Sequence, residues 1–125
     1  MLKSLFTMLA VLVIIMGAIF WENKFIKTEF NEFGQVLEIL YDKTDKQIAT
    51  QEDVFAVQKN WLNRKKYLHM FIPHTEIKEM DLWISEAITL VRDKEWQDAI
   101  SKIEVLRELT EQIPKNFSIT LENIF

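Results

Sequence analysis

The hydrophobic and polar positions of this chain divide it into an unbroken apolar run and a longer stretch in which apolar residues recur three and four apart. The apolar run covers residues 5–21 and contains no charged side chain. Three-and-four spacing is typical of amphipathic helices, whose apolar stripe faces a core. We therefore predict an all-α protein, in which an N-terminal transmembrane helix continues into an antiparallel bundle of about four helices with a short C-terminal helix. The predicted division is a transmembrane anchor over residues 1–21 and a helical bundle domain over residues 22–125.

The apolar run is long enough to cross a bilayer once. A helix rises about 1.5 Å per residue, so roughly 20 residues cross the hydrocarbon core, and residues 2–21 supply that length. Phe20 and Trp21 fall where aromatic rings sit at the membrane–water boundary. A cleaved signal peptide needs small residues two positions apart near the end of the run, and Gly17 and Ala18 have no such partners. Because the chain has no cysteine, a lipoprotein anchor is excluded as well.

The positive charges on the two sides of the run nearly balance. Lys3 and the amino terminus precede it, and Lys24 and Lys27 follow it. A short N-terminal tail before an early apolar run most often stays in the cytoplasm while the following domain is exported. We therefore expect a single-pass protein of the cell membrane with its domain on the extracytoplasmic side.

The segment after the apolar run predicts a helix that joins the anchor without a break. Nothing between Ala18 and Phe33 disfavours a helix, and Gly34 is the one weak point. The pattern is lost over residues 42–50, where we predict a turn. The predicted core positions of this helix are Ile26, Phe30, Phe33, Leu37, Leu40, Thr44 and Ile48.

Capping residues and prolines mark the ends of the remaining helices. Thr50 followed by Asp53 predicts the start of a second helix, and Pro73 predicts its end. Thr75 is the predicted N-cap of a third helix, and Pro114 is predicted to stop a fourth, after which the tail folds back as a short helix. The predicted core positions are Val54, Val57, Trp61, Leu68 and Phe71 in the second helix, Ile77, Met80, Ile84, Ala87, Ile88 and Val91 in the third, and Trp96, Ala99, Ile100, Ile103, Leu106 and Ile113 in the fourth.

Composition supports this architecture and argues against nucleic acid as a partner. Two glycines and two prolines in 125 residues are too few for a turn-rich β protein. Because Lys3 is the only charged side chain before Glu22, the remaining 14 basic and 19 acidic side chains give residues 22–125 a formal charge of −5. An acidic domain is a poor ligand for a phosphate backbone.

One part of this acidic domain is basic, and two interpretations of it are open. Arg64, Lys65 and Lys66 lie close to Trp61 in the second helix, a mixture that could contact anionic lipid headgroups. The simpler interpretation is a solvated helix face whose cations pair with acidic neighbours. We favour the second interpretation and keep Trp61, Arg64, Lys65 and Lys66 as possible membrane-surface contacts.

No residue pattern predicts catalysis, a metal site or a cofactor. His69 and His74 are five apart with Pro73 between them, whereas a helical zinc site places two ligands four apart. The chain has no thiol, no serine–histidine–aspartate arrangement and no glycine-rich phosphate loop. We therefore expect that the protein is not an enzyme. The alternative is a ligand-binding or weakly catalytic domain with a pocket near His74, Trp83 and Trp96.

Residues 71–114, FIPHTEIKEMDLWISEAITLVRDKEWQDAISKIEVLRELTEQIP, together with the Asn-Ile-Phe ending and the single N-terminal anchor, resemble a family of unknown function. It is the domain-of-unknown-function family numbered 4363, small anchored proteins of Gram-positive bacteria. The resemblance covers most of the chain after Trp21, and its most specific part is the run from Pro73 to Ile77. It implies a helical fold and a membrane location but no reaction. It also implies a partner, a small multi-span membrane protein of the YetF-like type.

These observations together favour an interaction protein over an enzyme. We expect a membrane-anchored, extracytoplasmic and non-catalytic helical module that binds or steadies another membrane protein.

Overall fold

Four α-helices make up the part of the chain that the computed structural model describes, residues 1–117. They are α1 (Leu2–Asp45), α2 (Gln51–Leu68), α3 (His74–Arg92) and α4 (Trp96–Phe117), and these residues contain no strand. The predicted all-α class is therefore confirmed. The predicted short C-terminal helix falls on residues 118–125 and lies outside the described residues.

Helix α1 runs without interruption from the apolar run into the bundle. It has 44 residues, so it is about 65 Å long. Its most apolar 18-residue stretch has a mean hydropathy of 2.4, and no other described part of the chain covers that stretch. The helix is thus long and apolar enough to cross a membrane, and the predicted continuity between the anchor and the first bundle helix is confirmed.

The four helices pack as a closed ring, in which α1 contacts α2 and α4 while α3 contacts the same two helices from the other side. Short connections make consecutive helices antiparallel neighbours. Every predicted core position of α1 except Ile48 is buried, including the polar Thr44, whose Oγ1 donates to the Leu40 carbonyl at 2.7 Å. The largest side chains that are fully buried are Trp61, Phe30, Phe33, Ile26, Leu37, Leu40, Leu68, Ile77, Met80, Ile84, Ile103 and Leu106.

Helix α1 ends at Asp45, inside the segment 42–50 where the sequence predicts a turn, so that turn is confirmed; the helix ends before the predicted core position Ile48. Gln47 adopts a left-handed conformation with φ 61°, and its N–H donates to the Thr44 carbonyl. The N–H of Ile48 donates to the Lys43 carbonyl, which completes a Schellman motif. This reversal turns Ile48 outward, where it is 61% exposed, so its predicted core position is wrong; Ala49 is buried in its place.

The predicted capping arrangement at the start of α2 is confirmed. The Thr50 hydroxyl accepts from the Asp53 N–H at 3.2 Å, and the Asp53 carboxylate accepts from the Thr50 N–H at 2.8 Å. Lys43 Nζ lies 3.0 Å from the other oxygen of Asp53. The hydrogen bond from the backbone N–H of Thr50 is the main cause that lowers the pKa of Asp53. Burial opposes it, and the hydrogen bonds from Lys43 and the Thr50 hydroxyl and the charge of Lys43 keep the net shift downward.

The connection between α2 and α3 differs from the prediction at both ends. Helix α2 stops at Leu68, five residues before Pro73, so Phe71 lies in the turn. The Pro73 carbonyl accepts from the N–H groups of Glu76 and Ile77, which makes Pro73 the N-cap of α3. Thr75 therefore lies inside the first turn and is not the N-cap that the sequence predicts.

Pro114 does not stop α4, which continues to Phe117. A proline within a helix loses one N–H bond and crowds the carbonyl four residues earlier. Here it falls in the last turn, where few further hydrogen bonds depend on it, and its ring is buried against the bundle. Packing of this ring offsets the lost bond, so the predicted stop at Pro114 is wrong.

Candidate functional site

The three residues of the predicted pocket do not converge. His74 is the first residue of α3, Trp83 lies at its middle, and Trp96 begins α4 beyond its far end. Trp83 follows His74 by nine positions, a rise of about 14 Å along the helix axis, and Trp96 lies further still. They therefore do not line one cavity.

Each of these three side chains has its own surroundings. The Trp83 ring lies under Lys102 Nζ, 4.7 Å from the ring centroid, and its Nε1 donates to Glu79 at 2.9 Å. The His74 ring stacks on that of His69 with centroids 5.7 Å apart. Trp96 borders a shallow hollow of about 320 Å³ beside Gln47. These are contacts of surface side chains, and they do not enclose a ligand.

The basic segment of α2 is largely engaged within the bundle. Trp61 is 1% exposed, and its Nε1 donates to Asp81 at 2.7 Å. A buried indole cannot contact a headgroup, so the membrane contact kept as a possibility for Trp61 is wrong. Arg64 pairs with Glu29 and Glu32 of α1, at 2.8 and 3.0 Å.

Lys65 and Lys66 differ in their surroundings. Lys65 Nζ lies 2.7 Å from Asp81 on α3, so its charge is paired. Lys66 is exposed at the end of α2. Of the residues predicted to contact a membrane surface, Lys66 is thus the one whose side chain is exposed.

A concave surface lies between α1 and α4 and is an open groove of about 910 Å³. Gly34 lies on its floor, where a Cβ would stand 3.6 Å from Thr110 Cγ2, an ordinary contact distance. An ion pair between Arg107 and Glu38 crosses it. Residues with side chains of both charges line it: Lys27, Thr28, Phe30, Asn31, Glu32, Gly34, Gln35, Glu38, Arg107, Thr110, Glu111, Pro114 and Lys115.

The sequence does not predict this groove. Its pattern marks Gly34 as a weak point of a helix, whereas the structure places Gly34 where α1 and α4 face each other. The available signal was a glycine within an otherwise regular amphipathic helix, which often has a packing reason. Within residues 1–117, no group of three or more His, Asp or Glu side chains could hold a metal ion.

Comparison with known protein families finds one whose model matches most of the chain. The model of a family described as "Domain of unknown function (DUF4363)" matches residues 20–124. The chain belongs to this family. No curated protein and no solved structure matches the chain.

The DUF4363 match begins at Phe20, at the end of the apolar run, and covers all of α2, α3 and α4. Both the groove and the turn between α2 and α3 therefore belong to the matched part of the chain. The family description assigns no reaction and no ligand, so any function has to be argued from the geometry of these surfaces.

Proposed function

We propose that this DUF4363 protein is a single-pass, membrane-anchored helical module that binds another integral membrane protein without catalysing a reaction. The observation that carries the proposal is the continuity of α1. One helix provides both the apolar run and a full side of the bundle. A module built in this way stays close to the bilayer surface at a fixed angle to its own anchor helix, because no loop separates its anchor from its core.

The apolar run supports the anchor. Side chains such as Phe6, Ile14 and Met16 are 69%, 70% and 54% exposed, and they continue around the whole helix. A water-soluble protein rarely exposes an apolar surface of this extent, whereas hydrocarbon covers it fully. We further propose that the bundle lies on the extracytoplasmic side, since a short N-terminal tail such as this one usually stays in the cytoplasm.

The groove between α1 and α4 is the surface that we propose for the partner. Lys27, near one end of it, comes six residues after Trp21, so the groove begins within about 10 Å of the end of the apolar run. A partner embedded in the same membrane can reach it with a short extramembrane segment. The mixed charges of the groove suit a polypeptide better than nucleic acid, as does the formal charge of −5 over residues 22–125. A small multi-span YetF-like protein is the first partner to test.

Site-specific photo-crosslinking in native membranes tests this function. We would introduce p-benzoylphenylalanine at Gln35, which lines the groove, and at Ser85, an exposed residue of α3 outside it. The expected result is a covalent adduct with an integral membrane protein from position 35 and none from position 85. Adducts with soluble proteins alone, equal adducts from the two positions, or none from position 35 would contradict the proposal.

A purely ligand-binding role has less support, because His74, Trp83 and Trp96 are spread along the bundle. It predicts that a metabolite or metal raises the melting temperature by mass action. Our proposal predicts no such shift from metals and small metabolites.

A further inference from the structure

The turn between α2 and α3 contacts the end of the apolar run. Phe71, in this turn, packs against Trp21 and Phe25 of α1, with ring centroids 6.3 and 5.8 Å away. The rings of Trp21 and Phe25 stack on each other at 5.4 Å. Because Trp21 is the last residue of the apolar run, these contacts fix the turn at the level where the chain leaves the hydrocarbon.

Two side chains next to Phe71 are directed outward from the bundle. Met70 is 79% exposed and Tyr67 is 60% exposed. Their neighbours Leu68 and Ile72 are buried at 0% and 3%, so the turn is held from inside. A flexible apolar methionine and an amphipathic tyrosine are the residue types that suit the boundary between headgroups and acyl chains.

We propose that residues 67–74, which comprise the end of α2, the turn and the first residue of α3, form a second membrane contact, which inserts Met70 into the lipid interface beside the anchor. This inference rests on the proposed anchoring of α1. Lipid is the occupant that the geometry favours, because the turn lies at the level of Trp21, where bilayer surrounds the chain. The exposed side chain of Lys66 adds a cation that headgroup phosphates attract.

The contact has a structural consequence for the bundle. A single helix leaves its domain free to rotate about the helix axis and to tilt with it. A second contact on one side of α1 removes this freedom and sets which face of the bundle is turned away from the membrane. The aromatic cluster of Trp21, Phe25 and Phe71 transmits the restraint, since it joins the turn to α1 by direct packing.

Single-cysteine fluorescence on the full chain in lipid nanodiscs tests the inference, since the chain has no cysteine of its own. Three variants, Leu12→Cys, Met70→Cys and Ile48→Cys, would each carry an environment-sensitive nitrobenzoxadiazole label. Leu12 lies in the apolar run. Ile48 is an exposed apolar residue like Met70, 61% against 79%, but it follows the far end of α1, about 36 Å from Trp21.

The expected result is blue-shifted emission, and loss of fluorescence on adding lipid with a headgroup spin label, at position 70 but not at position 48. Emission at position 12 should be blue-shifted and quenched by lipid with a spin label deep in the acyl chain. An unquenched label at position 12 would overturn the proposed anchoring itself. A quenched label at position 12, with position 70 behaving like position 48, would overturn only the membrane contact of the turn.

Discussion

Replacing each of two tryptophans by phenylalanine would test whether the hydrogen bond that a buried indole makes between α2 and α3 stabilises the bundle. Trp61 and Trp83 both donate an indole N–H to a carboxylate, at 2.7 and 2.9 Å. The Trp61 indole is buried, and its acceptor Asp81 is partly exposed and also pairs with Lys65. The Trp83 bond joins two residues of α3 at the surface. The two substitutions are therefore chemically matched and differ in burial.

The expected magnitudes follow from this difference. Trp61→Phe removes a hydrogen bond to a charged group, about 1.5–3 kcal/mol, and leaves a cavity beside Phe30 and Phe33. We expect a loss of about 2–4 kcal/mol in the free energy of unfolding. Trp83→Phe should cost about 0.5 kcal/mol or less, because water replaces the lost partner of Glu79. For a domain of this size, Trp61→Phe should lower the melting temperature by roughly 10–20 °C, and Trp83→Phe should lower it by at most about 4 °C.

Thermal unfolding of the full chain in detergent, followed by circular dichroism at 222 nm, measures both variants. A double-mutant cycle of Trp61→Phe and Asp81→Asn should show a coupling energy of about 1–3 kcal/mol, since the two residues share one interaction. Equal melting temperatures for Trp61→Phe and Trp83→Phe would refute the reasoning. So would additive effects of the two changes in the cycle.

Three further changes test other parts of the bundle. Gly34→Ala should raise the free energy of unfolding by about 0.5–1 kcal/mol in urea titrations, because its Cβ meets only an ordinary contact and alanine favours helix; a loss would mean that the groove floor is closed to a methyl group. Asp53→Asn should lower the melting temperature at neutral pH and make it fall less steeply as the pH is lowered. The lowered pKa of Asp53 gives stability that is present above about pH 4 and is lost as the pH falls through that pKa. An equal difference in melting temperature between the two proteins at every pH would contradict this. Ala87→Leu should cost about 1–3 kcal/mol by overpacking a fully buried site, while Glu86→Ala stays within about 0.5 kcal/mol, and equal melting temperatures would count against close packing at Ala87.

The sequence predicts much of this fold because helix periodicity and local capping are local properties. The continuity of α1 follows from the absence of a helix breaker, and the capping box at Thr50 needs only residues three apart. The wrong core position of Ile48 has a different origin. A Schellman motif usually has a glycine at its left-handed position, but here Gln47 occupies it, so the sequence marks no exact helix end within the predicted turn, and the three-and-four spacing extends to Ile48.

Features that depend on which helices meet could not be predicted. Trp61 lies among cations in the sequence, and only the packing of α2 against α1 and α3 decides that it is buried. The groove likewise depends on contacts between residues that are far apart in the chain, such as Gly34 and Thr110. The aromatic contact of Phe71 with Trp21 joins residues 50 positions apart, so no local pattern reveals it.

Because side chains of an α-helix point in regularly spaced directions around its axis, the groove can be related to one side of the apolar run of α1. Successive residues of an α-helix are turned by about 100°, so residues 14 positions apart lie within about 40° of the same direction. Gly17 precedes the groove residue Asn31 by that interval, and no atom of another part of the described chain lies within 4 Å of the position of its Cβ. A small residue at such a place allows a second transmembrane helix to approach closely. Because α1 is continuous, a partner helix beside Gly17 would emerge from the bilayer under the groove, as the proposal of an integral membrane partner requires.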